Sequence, residues 1–308
     1  MRKLDIKAYA KINLALDVVG KRPDGYHNIR TVMQHIDLHD NLCVKWTEGT
    51  GDGIKVETAS NKRYLPSDDR NVAYKAAKLM IDRFDIEKKL GPGLVRIDIK
   101  KQIPVAAGLG GGSADGAAVI CALSEIWELS LPLEQLCGLG AKIGADVPFC
   151  VMGQVGIRSA LAEGIGTKLT PTVGLKSWVV LTRPKLSVST AKVYEGFDLL
   201  DGEFKRPDID GLIAAIERHD FAAAKVNMIN VLENYTLSEY PIVAETKKKM
   251  TGETSPAIAL MSGSGPTIVG FYAKRASAMA AYEKMAQINV ETLIAKTLYS
   301  NGSEADFV

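Results

Sequence analysis

The stretch PVAAGLGGGSADGAA, residues 104–118, decides how the rest of the chain is read. Gly108, Gly110, Gly111 and Gly112 stand just ahead of a segment in which Ala117, Ile120, Cys121, Ser124 and Trp127 fall on one helical stripe, and residues 94–99 before it read as a strand. The local order is strand, glycine loop, helix. Glycines let a backbone approach an anion without Cβ interference, and the unpaired N–H groups at a helix start, reinforced by the macrodipole, favour phosphate. The plainer alternative is a tight connection with Ser113 as an ordinary N-cap. Common fingerprints do not fit: no lysine follows the glycines as G-x-x-x-x-G-K-[ST] requires, and Ser113 takes the last position of G-x-G-x-x-G. H-R-D and D-F-G are absent as well. If the loop holds phosphate, a different phosphate-binding class is needed.

Downstream of the loop, residues 133–143 read as a helix with Pro132 near its start; it ends at Gly144 and runs into Ala145-Asp146-Val147-Pro148. Upstream, Val72, Ala76, Leu79 and Met80 have helical spacing within residues 71–83. Residues 12–18 alternate as a half-buried strand, so Lys11 and Asn13 share a face. Pro23-Asp24-Gly25 is a turn, since Pro fixes φ and Gly admits positive φ. Residues 31–46 and 54–58 suggest more strands. Towards the C-terminus come a strand at 177–181, helical stretches at 191–199, 209–218 and 221–231, a strand–loop–strand with SGSGPT between 258–261 and 268–272, and a helix at 276–286.

Length and charge bound the function. At about 100–200 residues per domain, 308 residues predict two domains, with a boundary expected near residue 163. A net charge of +2, from 38 Lys plus Arg against 36 Asp plus Glu, is too balanced for the basic field of a nucleic-acid binder, whereas an anionic small molecule needs only a local patch. Cys43, Cys121, Cys137 and Cys150 form no C-x-x-C pair, which suits reduced thiols in a cytoplasm. Asp5, Lys7 and Lys11 interrupt any signal-peptide core, and no stretch approaches the roughly 18 apolar residues of a membrane span. His35 and His39 lie four apart on a strand with nothing to complete a metal set, and Lys247-Lys248-Lys249 reads as a solvated helix face. Taken singly, Lys11 is an ordinary strand lysine and Asp146 an ordinary turn residue.

Three segments together resemble the GHMP kinase superfamily: AYAKINLALDV at residues 8–18, PVAAGLGGGSADGAA at 104–118 and LMSGSGPTIVG at 260–270. AKINLALDVVGKRPDGYHNIRTVMQHIDLHD, IGADVPFCVMG and PKLSVSTAKVYEGFD narrow the resemblance to a branch acting in the non-mevalonate route to isoprenoid precursors. The resemblance implies an α+β fold of two domains: a ribosomal-S5-domain-2-like domain over residues 1–163 and a ferredoxin-like one over 164–308, with ATP and acceptor meeting between them. It implies transfer of the ATP γ-phosphoryl group to a 2-hydroxyl of a cytidine-diphosphate-linked polyol. By motif position, Lys11 and Asp146 match the catalytic pair. Pro104, Val105, Ala106, Ala107, Gly108, Leu109, Gly110, Gly111, Gly112, Ser113 and Ala114 match the phosphate loop, with Ser113 a candidate Mg²⁺ ligand. Asn71 and Lys101 match adenosine-side positions; Tyr26, His27 and Tyr194 match the cytosine site, and Asn13 would orient acceptor hydroxyls. One departure stands out, because relatives more often carry a second hydroxyl where this chain has Ala114. The competing readings are a mevalonate-pathway or homoserine-type kinase, and a non-catalytic ligand- or RNA-binding protein on the same fold.

Overall fold

The computed structural model describes residues 1–299. Its chain forms two compact units that are interleaved in sequence: the first takes residues 1–10, 38–105 and 110–156, the second residues 11–37, 106–109 and 157 onward. Two long strands cause the interleaving. β1 (Arg2–Lys21) and β2 (His27–Glu48) pair with each other, and each runs from one unit into the other. The expected turn joins them: Gly25 takes a positive φ of 85°, the Arg22 amide donates to the Tyr26 carbonyl at 2.8 Å, and the Asp24 carboxylate accepts from both the Tyr26 amide and the Arg22 guanidinium.

In the first unit the chain continues through β3 (Ile54–Ser60), α1 (Val72–Arg83), α2 (Ile86–Leu90) and β4 (Gly93–Lys100). β4 lies antiparallel to the C-terminal half of β2, from Asn41 opposite Lys100 to Glu48 opposite Gly93, and parallel to β3. A parallel pair needs a crossover, which α1 and α2 supply. α3 (Gly111–Ile126), α4 (Leu133–Ala141) and α5 (Val147–Gln154) complete the unit. Asn71 starts α1 by accepting from the Ala73 amide at 2.9 Å. Ala73, Ala76 and Met80 of α1 and Ala117, Ile120 and Leu123 of α3 are buried, as are Val44, Val95 and Ile97 of the strands. α1 and α3 approach closely because Gly116 has no side chain, since a Cβ there would lie 2.8 Å from Val72 Cγ1. Nothing in the periodicity announces α5. Its residues from Val147 to Gly153 are all buried, so there is no polar face to mark a helical period.

In the second unit β5 (Ser159–Gly164) pairs antiparallel with the N-terminal half of β2, Ile29 opposite Gly164 and Gln34 opposite Ser159, and β6 (Lys168–Pro171) pairs with β5. β7 (Trp178–Arg183) then opens a second sheet. After it come α6 (Thr190–Phe197), α7 (Ile209–Glu217), α8 (Phe221–Val226), α9 (Glu233–Glu239) and α10 (Pro241–Thr254), followed by β8 (Ile258–Met261), β9 (Ile268–Tyr272), α11 (Arg275–Ile288) and β10 (Glu291–Lys296). This sheet is antiparallel, in the order β10-β7-β9-β8. Its core joins Val180, Ile268, Val243, Met250 and Met285 to Leu16 and Val18 of β1. α8 stops short of the 221–231 expected because residues 229–231 are claimed by β1: the Leu16 amide donates to the Ile229 carbonyl at 2.9 Å and the Val231 amide to the Leu16 carbonyl at 3.0 Å. The lysine run on α10 is partly committed rather than simply solvated, Lys247 pairing with Glu233 and Lys249 with Glu245. No helix among the described residues is long and apolar enough to cross a membrane.

Candidate active site

The glycine loop changes unit at Gly110, and each half is held by its own neighbours. In the first unit Gly110, with a left-handed φ of 69°, is the N-cap of α3 and has no side chain to cap it. The first intrahelical bond is Ala114 N–H to Gly110 at 2.8 Å, which leaves the amides of Gly111, Gly112 and Ser113 without helical partners. No acidic residue lies in the first turn. An anion is what such an end accepts. Ser113 is therefore a residue inside the first turn, not the N-cap of the plainer reading. Ala114 is fully buried, so the hydroxyl it lacks belongs to the interior side of α3.

Beneath this helix start lies a buried charge cluster. Lys101, at the end of β4, donates to Asp40 of β2 and, at 2.8 Å, to Asp115 of α3, and all three side chains are almost wholly buried. Asp40 also accepts from the amides of Gln102 and Ile103. Burial pushes the Asp115 carboxyl well up and Asp40 adds to it, against the pull of Lys101; burial disfavours the Lys101 charge, but the two carboxylates outweigh it and raise its pKa. Lys101 thus comes to the loop from below, its ammonium 3.3 Å from where a Gly111 Cβ would stand. The side chain of Asn71, the other adenosine-side candidate, caps α1 and donates to the Pro66 carbonyl at 2.8 Å. Both residues serve the local fold with their side chains. The Asp146 carboxylate, at the N-cap position of α5, makes no cap bond to that helix.

In the second unit the other half of the loop meets β1 and the SGSGPT segment. Ala106 and Gly108 take positive φ of 54° and 74°. The Ser262 hydroxyl donates to the Gly108 carbonyl at 2.9 Å, while a Cβ on Gly108 would fall 2.4 Å from the Ser262 carbonyl oxygen, so glycine is required there. Asn230 clamps the same segment, donating to the carbonyls of Met261 and Gly263 at 2.8 and 2.7 Å. The Lys11 amide donates to the Leu109 carbonyl at 3.0 Å. As the strand alternation predicts, Lys11 and Asn13 share a face. Lys11 Nζ donates to Asn13 Oδ1 at 3.0 Å, Asn13 Nδ2 to the Thr31 hydroxyl at 2.8 Å, and that hydroxyl to the Ala15 carbonyl at 2.6 Å. The pair is only 5% and 4% exposed.

A second cluster in the same unit gathers the aromatic candidates. His27, at the start of β2, is buried, and its ring lies 4.9 Å from that of Tyr194 on α6, tilted by 30°. Tyr26 precedes it on the locked turn and is 64% exposed. Asp198, one turn beyond Tyr194, lies 2.8 Å from His27 Nε2 and accepts from Lys21 Nζ at 2.7 Å. Asp198, Asp40, Asn230 and Ser262 carry no local signal in the sequence, because each is defined by a partner at least 31 positions away, and Asp115, inside the glycine motif, by Lys101 14 positions before it. A cavity of about 750 Å³ beside Leu175, His219 and Phe221 contains none of the candidate residues.

Residues 71–154 match the GHMP kinases N terminal domain and residues 207–291 the GHMP kinases C terminal domain. The chain is 43% identical to the 4-diphosphocytidyl-2-C-methyl-D-erythritol kinase of Clostridium novyi, over 95% of its own length and 99% of the relative's. It belongs to the 4-diphosphocytidyl-2-C-methyl-D-erythritol kinase family. A crystal structure of 4-(cytidine 5'-diphospho)-2C-methyl-D-erythritol kinase superposes with a TM-score of 0.78 at 29% identity, covering 96% of this chain and all of the other. Homoserine kinase from Cytophaga hutchinsonii, with a TM-score of 0.73 at 15% identity over 97% and 95% of the two chains, shares the fold alone. Membership of the 4-diphosphocytidyl-2-C-methyl-D-erythritol kinase family makes the chain a kinase of the GHMP type with an α+β fold, and GHMP kinases take ATP as phosphate donor.

Proposed function

We propose that the chain transfers the γ-phosphoryl group of ATP to the 2-hydroxyl of 4-diphosphocytidyl-2-C-methyl-D-erythritol, a step of the non-mevalonate isoprenoid pathway. The observation that carries this reading is the tie from Lys11 to the glycine loop, through the Leu109 carbonyl, in a chain 43% identical to a kinase named for that acceptor. A bond forms between the acceptor oxygen and the γ-phosphorus, the bond from that phosphorus to the bridging oxygen breaks, and ADP leaves. A tertiary alcohol is a poor nucleophile, so Asp146 takes its proton as general base, and the Lys11 ammonium stabilises the charge on the transferring group. The amides of Gly111, Gly112 and Ser113 hold phosphate oxygens. Tyr26 and Tyr194 stack on cytosine with His27 at its edge, and Asn13, oriented by Thr31, addresses the acceptor's hydroxyls.

Mg²⁺ fits this arrangement as the partner of the nucleotide rather than of a protein cage. Among the described residues no three His, Cys, Asp or Glu gather to hold a metal, and the Ser113 hydroxyl would be the protein's contribution to holding the ion beside the phosphates. When bound it neutralises charge on the phosphates. We assign residues 1–163 and 164–308, the last nine outside the described residues, to the N- and C-terminal domains of the family. The partners are then ATP and the acceptor, not nucleic acid or membrane, and the place of action is the cytoplasm.

An ADP-release assay comparing 4-diphosphocytidyl-2-C-methyl-D-erythritol, mevalonate and homoserine tests this. The first should have the highest kcat/KM by orders of magnitude. A preference for either of the others would overturn the assignment of the acceptor.

A further inference from the structure

We infer that Asp198 sets the base preference of the acceptor site by fixing which nitrogen of His27 carries the proton. The inference rests on the reading of Tyr26, His27 and Tyr194 as a base site. Asp198 Oδ1 lies 2.8 Å from His27 Nε2, and its other oxygen takes the Lys21 ammonium at 2.7 Å. Burial works against the charge on Asp198, yet the hydrogen bonds from Lys21 and His27 outweigh it and hold the carboxyl below its usual range. An ionised carboxylate only accepts, so Nε2 must be the donor. In the neutral ring that leaves Nδ1 as a bare acceptor. Nδ1 makes no hydrogen bond among the described residues.

The ring has little freedom to do otherwise. His27 is buried, Tyr194 lies against it at 4.9 Å, and Asp198 is the C-cap of α6 one turn after Tyr194, its amide donating to the Tyr194 carbonyl at 3.1 Å, so the end of α6 fixes both the packing and the proton. The turn before His27 is locked by Arg22 and Asp24. A fixed acceptor at the edge of a base site accepts from the exocyclic amine of cytosine. In the same pose uracil presents its O4, and two lone pairs face each other. Asp198 is thus a positioning residue that acts on the base through His27.

Two measurements test this. In protein labelled with ¹⁵N in histidine, at a pH where the imidazole is neutral, the resonance assigned by loss in His27→Gln should show Nε2 protonated and Nδ1 bare; a ring protonated at Nδ1 overturns the inference without reference to activity. In steady-state kinetics with the cytidyl acceptor and its uridyl analogue, Asp198→Ala should reduce the ratio of the two kcat/KM values roughly tenfold, because a directed hydrogen bond is lost, with KM for ATP unchanged. Tyr26→Ala separates the two levels of the argument. If it leaves the acceptor KM unchanged, the base site itself is misplaced. If it raises that KM while Asp198→Ala preserves the cytidyl-to-uridyl ratio, Asp198 alone loses its role.

Discussion

The backbone amide of Lys11 is hydrogen-bonded to the carbonyl of Leu109, so the strand that carries the candidate lysine and the loop that carries the glycines share a rigid link of 3.0 Å. Lys11 is placed by main chain at its root and by Asn13 at its tip. A group held at both ends loses little conformational entropy when phosphate arrives, which is the physical content of preorganisation.

Gly108→Ala should damage this link. The positive φ alone costs about 1–3 kcal/mol for a residue with a side chain, and the new methyl would collide with the Ser262 carbonyl. The expected result is a lower melting temperature and a KM for ATP raised at least about tenfold. Melting curves and initial rates measured at several ATP concentrations check both.

Asp146→Asn should lower kcat by roughly 10²–10⁴-fold, the usual share of general-base assistance, and leave ATP affinity nearly intact. The fold should survive, because the exchange of a carboxylate for an amide keeps the size and shape of the side chain. Turnover close to that of the parent would remove Asp146 from the mechanism.

Lys101→Met should be chiefly a stability variant. It leaves Asp40 and Asp115 buried together without their cation, and removing one member of a buried ion pair costs about 3–5 kcal/mol. Adding Asp115→Asn should recover part of the loss. Urea unfolding of the single and double variants measures this, whereas a Lys101 that touched the nucleotide would show its loss in the KM for ATP with stability unchanged.

His35 makes stability depend on acid. It is completely buried in β2, and desolvation, helped by the nearby charge of Arg158, pushes its pKa down to about 3 from an ordinary 6.5. Below the ordinary value the unfolded chain binds a proton that the folded chain refuses. The stabilisation is complete above pH 6.5 and disappears as pH falls towards 3, at about 1.4 kcal/mol per unit. From pH 7 to pH 5 the unfolding free energy should drop by about 2 kcal/mol from this residue, and His35→Gln should flatten the profile.

What the sequence made legible was local. The alternation around Lys11 and Asn13 marked β1, the Pro23-Asp24-Gly25 turn marked its end, and the run of glycines before Ala117 and Ile120 marked the start of α3. β5, β6 and β10 escaped because short strands with mixed polarity carry too few periods to read. α5 escaped because it is buried on every side. The candidate site divides the same way. Lys11, Asp146 and the glycines stand in recognisable motifs, but the side-chain commitments of Lys101 and Asn71 became visible only once Asp40, Asp115 and Pro66 were found beside them. A lysine's partner 61 positions away has no signature in its neighbourhood.

The passage of β1 and β2 through both units has a consequence for inheritance and for engineering. Neither unit corresponds to a continuous gene fragment, so splicing the coding sequence at a single point cannot exchange one unit for that of a relative without also importing pieces of the other. Chimeras between relatives should therefore be viable only when the segments 1–10, 38–105 and 110–156 travel as a set, and a bisected gene should yield fragments that regain structure on being mixed rather than apart.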